Sequence, residues 1–157
     1  MINQETVVEI NLSNLKKNLD FLKSKIRKET LVMAVVKAFA YGSDSTIISK
    51  KLEKEKIDYL AVAYTVEGVE LRDKGITTPI LVLHPQINDF DKIIDFELEP
   101  SIYSFRVLKA FMNTKKLTTD YPFQIKFNTG LNRLGFNENQ IDKLILSLKN
   151  LKPNFIF

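Results

Sequence analysis

Two short segments hold the residues best suited to chemistry. In the first, Leu31-Val32-Met33-Ala34-Val35-Val36-Lys37-Ala38-Phe39-Ala40-Tyr41-Gly42, six apolar residues run straight into a lysine. A continuous apolar run that ends in a turn reads as a strand buried on both faces, as in a parallel sheet. A lysine at the end of such a strand stands where solvent meets low-dielectric core, and desolvation there favours the free amine. A free amine is the nucleophile that forms a Schiff base with an aldehyde cofactor. The same position also suits a solvated lysine whose stem lies along apolar surface.

The second segment is Lys126-Phe127-Asn128-Thr129-Gly130-Leu131-Asn132-Arg133-Leu134-Gly135-Phe136. Gly130 and Gly135 allow the tight backbone of an active-site loop. Arg133 offers a planar fork suited to a carboxylate or phenolate oxygen, although one such arginine also fits a surface ion pair. His84 is the single histidine, and the chain has no cysteine. Disulfides and thiolate metal sites are thereby excluded, a histidine metal cluster is disfavoured, and no metal is expected.

These residues need elements to hold them, and the hydrophobic pattern supplies a regular alternation. Strands are predicted over residues 6–10, 31–36, 59–64, 79–83, 100–103 and 123–127, with another beginning at 154–157. Helices are predicted after the Asn11-Leu12-Ser13 cap, with Leu15, Leu19, Leu22 and Ile26 on one stripe, and over residues 45–56, 90–96, 105–112 and 138–150. A further helix begins at Thr65 as its cap and ends at Gly75. Short strands alternating with helices mean βα units and a parallel sheet. Counted from the lysine strand, five units are present and a sixth strand begins, whereas a closed (β/α)8 barrel needs eight units and about 250 residues. Both glycine- and lysine-bearing segments follow strands, so they open on the same barrel face.

The chain has 157 residues, enough for one domain with a real core, and 45% are hydrophobic. Its 23 basic and 19 acidic side chains leave a net charge of +4. The charges are interleaved along helices rather than gathered in a basic block with stacking aromatics, so no nucleic-acid partner is expected. No apolar run reaches membrane-spanning length and no signal-like segment opens the chain, so a cytoplasmic location without a membrane partner is expected.

The first segment resembles the cofactor-lysine motif of the alanine racemases, Val-Lys-Ala-(Asn/Asp)-Ala-Tyr-Gly. The second resembles that family's Lys-x-Asp-Thr-Gly-Met-x-Arg-Leu-Gly, in the same order and at the same separation. The similarity runs from Val8-Glu9-Ile10-Asn11-Leu12 through Tyr59-Leu60-Ala61-Val62-Ala63 and Thr78-Pro79-Ile80-Leu81-Val82-Leu83, essentially the whole chain. The resemblance implies an α/β fold, the TIM-type barrel, with pyridoxal 5'-phosphate as cofactor. By the same resemblance Lys37 carries the cofactor and acts as one of two bases, and Tyr41 bonds its phosphate. Leu83 lies against its ring, and Arg133 contacts the cofactor oxygen or the substrate carboxylate. Lys126 matches a lysine that some members carry as a carbamate.

Residues 1–157 then form part of an N-terminal barrel domain, without the C-terminal β-domain whose tyrosine, from the partner subunit of a homodimer, is the opposing base. The implied function is interconversion of L- and D-alanine for peptidoglycan, which this portion alone does not perform. An amino-acid decarboxylase or a pyridoxal-phosphate carrier on the same barrel, or a non-catalytic truncated product, stays open. The chain departs from the family pattern at Phe39, at Asp44 where glycine is frequent, and at Asn128, where loss of the aspartate removes a negative charge near Arg133.

Overall fold

The computed structural model describes residues 7–148 and 151–156. Six strands form one parallel sheet in chain order: β1 (Met33–Val35), β2 (Tyr59–Val62), β3 (Ile80–Val82), β4 (Glu99–Ile102), β5 (Gln124–Ile125) and β6 (Phe155–Ile156). Helices α1 (Leu12–Lys23), α3 (Ser45–Lys54), α4 (Thr65–Asp73), α5 (Phe90–Asp95), α6 (Phe105–Met112) and α7 (Ile141–Leu148) alternate with them, and α2 (Lys37–Gly42) is a short turn of unusual hand. This is the order expected of the first six strands of a TIM-type barrel.

The register explains why so many strand residues are apolar. Met33 pairs with Tyr59, Val35 with Ala61, Ala61 with Leu81, Leu81 with Glu99, and Ser101 with Gln124. Because side chains alternate along a strand, these residues share one face of the sheet. Leu60, Val62, Ile80, Val82, Ile102 and Ile125 occupy the other face and form the core with Leu52, Leu71, Ile93, Leu108 and Phe111 from the helices. Phe111 also packs at a tilt against Phe90 and Phe123, at ring separations of 5.4 and 5.2 Å. The alternation anticipated in residues 123–127 is present: Phe123 and Ile125 are buried against helices, and Gln124 lies on the opposite face.

That opposite face carries a buried polar layer. The Tyr59 hydroxyl donates to Glu99 Oε1 at 3.1 Å, and Gln124 Nε2 donates to Glu99 Oε2 at 3.3 Å. Burial raises the Glu99 carboxyl above its usual range, and burial together with Glu99 pushes the Tyr59 phenol up to about 12. Arg72 ties α4 to the next unit by donating to the carbonyls of Phe96, Ile76, Thr78 and Glu97.

Several expectations are corrected. Residue 6 lies outside the described residues, and residues 7–10 form no strand: Val7 and Val8 are exposed and no described residue pairs with them. The lysine strand is three residues long and is not buried on both faces. Met33 is 38% and Val35 42% exposed, because the face they share with Tyr59 and Ala61 is open at β1 among the described residues, whereas Val36 on the other face is buried. Leu22 and Ile26 do not complete a buried stripe, since α1 ends at Lys23 and only Leu19 of its residues is buried. Tyr64, not Thr65, occupies the cap position of α4, and Thr65 is buried with its hydroxyl unpartnered. The helix expected over 138–150 begins as a 3-10 turn, Glu138–Gln140, before α7, while residues 149, 150 and 157 lie outside the described set.

Candidate functional site

The C-terminal ends of parallel strands present backbone and loops to one opening, and here the hydrogen-bonded rungs continue beyond the strands into that opening. Val36 N–H donates to Ala61 O at 2.8 Å, Leu83 N–H to Val62 O at 2.9 Å, and His84 N–H to Ala63 O at 2.9 Å. Lys126 N–H donates to Ile102 O at 3.0 Å. A cavity of about 400 Å³ opens where these rungs end, lined by Lys37, Ala63, Tyr64, Leu83, His84, Lys126, Arg133 and Leu134. Four of the five residues singled out in the sequence thus meet in one place, from β1, β3 and the loop after β5.

Lys37 is half-buried and opens α2. The next four residues, Ala38, Phe39, Ala40 and Tyr41, have φ between 51° and 57°, so α2 is a left-handed turn. Left-handed helical conformation costs about 1–2 kcal/mol per non-glycine residue, so this turn must be held by its surroundings. Ala40 N–H donates to Val36 O at 3.0 Å, and Ser43 N–H to Phe39 O at 2.9 Å. The turn is pinned from outside by Glu67 on α4. Its Oε1 accepts from Ala38 N–H at 2.7 Å, while its Oε2 accepts from Ala63 N–H at 2.6 Å and Tyr64 N–H at 3.0 Å. One carboxylate therefore locks the backbone beside Lys37 to the end of β2. Asp44, a departure from the family pattern, has φ 83° and caps α3 by accepting from Ile47 N–H at 2.9 Å.

The loop carrying Arg133 is closed by its own backbone. Phe136 N–H donates to Lys126 O at 2.9 Å, and Asn128 N–H to Phe136 O at 2.8 Å. Gly135, at φ +127°, makes this crossing possible, since a Cβ there would lie 2.5 Å from Asn128 N. Asn128 is the hub of the loop. Its Oδ1 accepts from Gly130 N–H at 3.2 Å and Asn132 N–H at 3.0 Å, while its Nδ2 donates to Asn132 Oδ1 at 2.8 Å and Asn137 Oδ1 at 3.1 Å. A carboxylate could make the first pair but has no proton for the second. The amide at 128 thus fits the two asparagines facing it.

The electrostatics are one-sided. Lys37, Lys126 and Arg133 line the cavity, and among the described residues no carboxylate does. Among the described residues neither Lys37 nor Arg133 has a hydrogen-bond or ion-pair partner. Leu83 and Leu134 add apolar wall. Such a cavity suits a flat, partly apolar molecule bearing anionic groups. Tyr41, expected at the cofactor phosphate, is not brought to the cavity: it is 68% exposed at the far end of the left-handed turn. Among the described residues, a separate groove of about 240 Å³ beside Met112, Leu117, Leu148 and Leu151 is lined by no titratable group.

Sequence reasoning did not single out Glu67 or Tyr64, and it read His84, which also lines the cavity, as structural. Glu67 left a trace, standing three residues after the residue that precedes a helix, where a carboxylate reaches back to unpaired N–H groups.

The family model described as alanine racemase, N-terminal domain, matches residues 10–157. The chain belongs to the alanine racemase family. It is 34% identical over 150 residues to alanine racemase 1 of Caldanaerobacter subterraneus subsp. tengcongensis, covering 94% of this chain and 39% of that protein. It is also 34% identical over 163 residues to the alanine racemase of Methanococcus maripaludis, covering 100% and 44%. The structure of the Clostridium difficile 630 alanine racemase in complex with cycloserine superposes with a TM-score of 0.91 at 36% identity, covering 100% of this chain and 45% of that one. The Corynebacterium glutamicum alanine racemase gives 0.84 at 26% identity, covering 93% and 44%. The chain therefore spans about two fifths of the length of these alanine racemases, and the barrel-type α/β fold expected from the sequence is the fold of the family.

Proposed function

We propose that this chain is the lysine-bearing barrel portion of a pyridoxal-phosphate-dependent alanine racemase. The observation that carries the proposal is the cavity that gathers Lys37, Leu83, Lys126 and Arg133 at the strand ends. The residues fit the cofactor: an unpaired amine to attach it, an apolar wall at Leu83, and a cationic lining without carboxylates for its anionic groups. When bound, this cofactor supplies an electron sink for charge developing at the α-carbon of an amino acid.

The chain's own residues do the rest. Lys37 Nζ anchors the cofactor and, once displaced, takes or returns the α-proton from one side as a general base. The Glu67 clamp holds the backbone from which Lys37 extends, which fixes where that amine can reach. Arg133 orients the carboxylate or ring oxygen through its fork. Lys126 lines the same mouth, and carbamylation there would give Arg133 an anionic partner. A phosphate contact from Tyr41 rests on the resemblance alone. The opposing base, the C-terminal β-domain, the homodimer, the supply of D-alanine for peptidoglycan and a cytoplasmic location belong to this proposal. The described residues add that no helix is long and apolar enough to cross a membrane.

The test compares the full polypeptide encoded by the gene with its Lys37→Ala variant. Exchange of the alanine α-hydrogen with D2O and formation of D-alanine should fall by about 10²–10⁴-fold or more on loss of the base and anchor. Undiminished exchange in the variant would remove Lys37 from the chemistry.

A further inference from the structure

His84 is the member of the cavity wall that neither the fold nor the reading above uses. Its backbone is already satisfied: the N–H donates to Ala63 O, and the carbonyl accepts from Gln86 Nε2 at 3.4 Å. Its ring packs against those of Tyr64 and Tyr103, with centroids 5.6 and 5.4 Å away and planes tilted by 51° and 41°. Burial raises the Tyr103 phenol, so that neighbour stays a neutral aromatic surface. Two tilted ring contacts hold the imidazole in place beside the cavity. Among the described residues neither ring nitrogen has a hydrogen-bond partner. The same ring lines the cavity that holds Lys37 and Arg133.

We propose that His84 is a ligand-contacting residue of this cavity, its ring N–H donating to an anionic oxygen of the occupant. The proposal rests on the reading of the cavity as a cofactor and amino-acid site. The chemistry it recognises, a phosphate or carboxylate oxygen, comes either from the cofactor or from the substrate. A neutral imidazole retains one N–H, so the contact needs no change of charge. The tyrosines act as a clamp that sets the direction of that donor, an arrangement that phenylalanine at 84 would reproduce without the N–H.

The experiment follows the His84 ring Cε1–H signal by NMR in the full encoded polypeptide, assigned by its loss in His84→Phe. Pyridoxal phosphate is added first, then alanine. A shift on the first addition assigns the contact to the cofactor, and a shift only on the second assigns it to the substrate carboxylate. His84→Phe should weaken affinity for that ligand about tenfold, as expected for one lost hydrogen bond to a charged group, and His84→Gln should recover part of it. An unmoved signal, or His84→Phe binding as tightly as the parent, overturns the proposal. Borohydride reduction with peptide mapping reports separately whether Lys37 carries the cofactor. Should Lys37 stay unlabelled, the cofactor reading fails, and titration with sulfate then decides for His84 by the same signal.

Discussion

Replacing Glu67 by glutamine tests whether the left-handed turn beside Lys37 is held from outside. Four consecutive non-glycine residues in that conformation cost about 4–8 kcal/mol at 1–2 kcal/mol each, and the hydrogen bonds of Glu67 are the restraint. Glu67 uses one oxygen for Ala38 N–H and the other for Ala63 and Tyr64 N–H. An amide accepts at one oxygen only. Its carbonyl can keep the pair on the β2 side, but its NH2 then faces Ala38 N–H, donor against donor. A bond to a charged acceptor contributes about 1.5–3 kcal/mol. Ala38 is exposed, so water recovers part of it, and the expected loss is about 1–2 kcal/mol. Urea denaturation of the full polypeptide measures that loss, and hydrogen exchange at Ala38 and Ala40 locates it. Ala38→Gly supplies the converse. Glycine removes the left-handed cost at φ 51° but adds unfolded-state entropy, for a net gain of about 0.5–1 kcal/mol. It should restore part of the stability lost in Glu67→Gln. A Glu67→Gln protein within about 0.5 kcal/mol of its parent, with unchanged exchange at Ala38 and Ala40, would refute the clamp.

Two other outcomes follow from the same geometry. Gly135→Ala should lose about 2–5 kcal/mol, because a Cβ at φ +127° adds backbone strain to a 2.5 Å overlap with Asn128 N; a urea midpoint equal to the parent's would contradict the backbone crossing. Glu99→Gln should raise stability at pH 7 and flatten its pH dependence. The folded-state value of Glu99 is raised from 4.5, so its favourable contribution is complete below that pH and is lost as pH rises through the folded value. The difference between variant and parent denaturation curves should therefore grow from about pH 4.5 upward, and a constant difference would place Glu99 in an ordinary environment.

The fold was legible where periodicity met length. Helix α6 lies where the spacing of Phe105, Val107, Leu108 and Phe111 puts it, and the residues of β2 and β3 are as buried as their apolar runs imply. The lysine strand was misread for a physical reason. Its valines suit burial on both faces, but Met33 and Val35 lie on the sheet face shared with Tyr59, Ala61 and Leu81, which among the described residues is open at β1, while Val36 on the other face is buried. The left-handed turn was invisible because alanine, phenylalanine and tyrosine carry no local signal for positive φ; the turn is imposed by Glu67, about thirty residues away in sequence. At the site, Lys37 and Arg133 could be picked out because one ends a strand and the other sits in the glycine-flanked loop that follows one, whereas Leu83 and Lys126 were legible through the family resemblance alone. Tyr41 was named through the resemblance alone, and it stands 68% exposed at the far end of that turn.

The two loops bearing Lys37 and Arg133 reach order by different means, and the difference bears on how the site works. Arg133 sits in a loop that closes on itself through Asn128, Gly135 and the Lys126–Phe136 backbone bond, so its position depends on local chemistry. Lys37 sits on a strained turn whose restraint comes from the neighbouring βα unit. Disturbing α4 should therefore displace the amine while leaving the guanidinium in place. On the reading proposed above, in which Lys37 first holds a cofactor and then acts as a base, the amine needs a backbone that does not drift between the two tasks. A carboxylate committed to three N–H groups provides that while staying out of the cavity, where a free negative charge would oppose an anionic ligand.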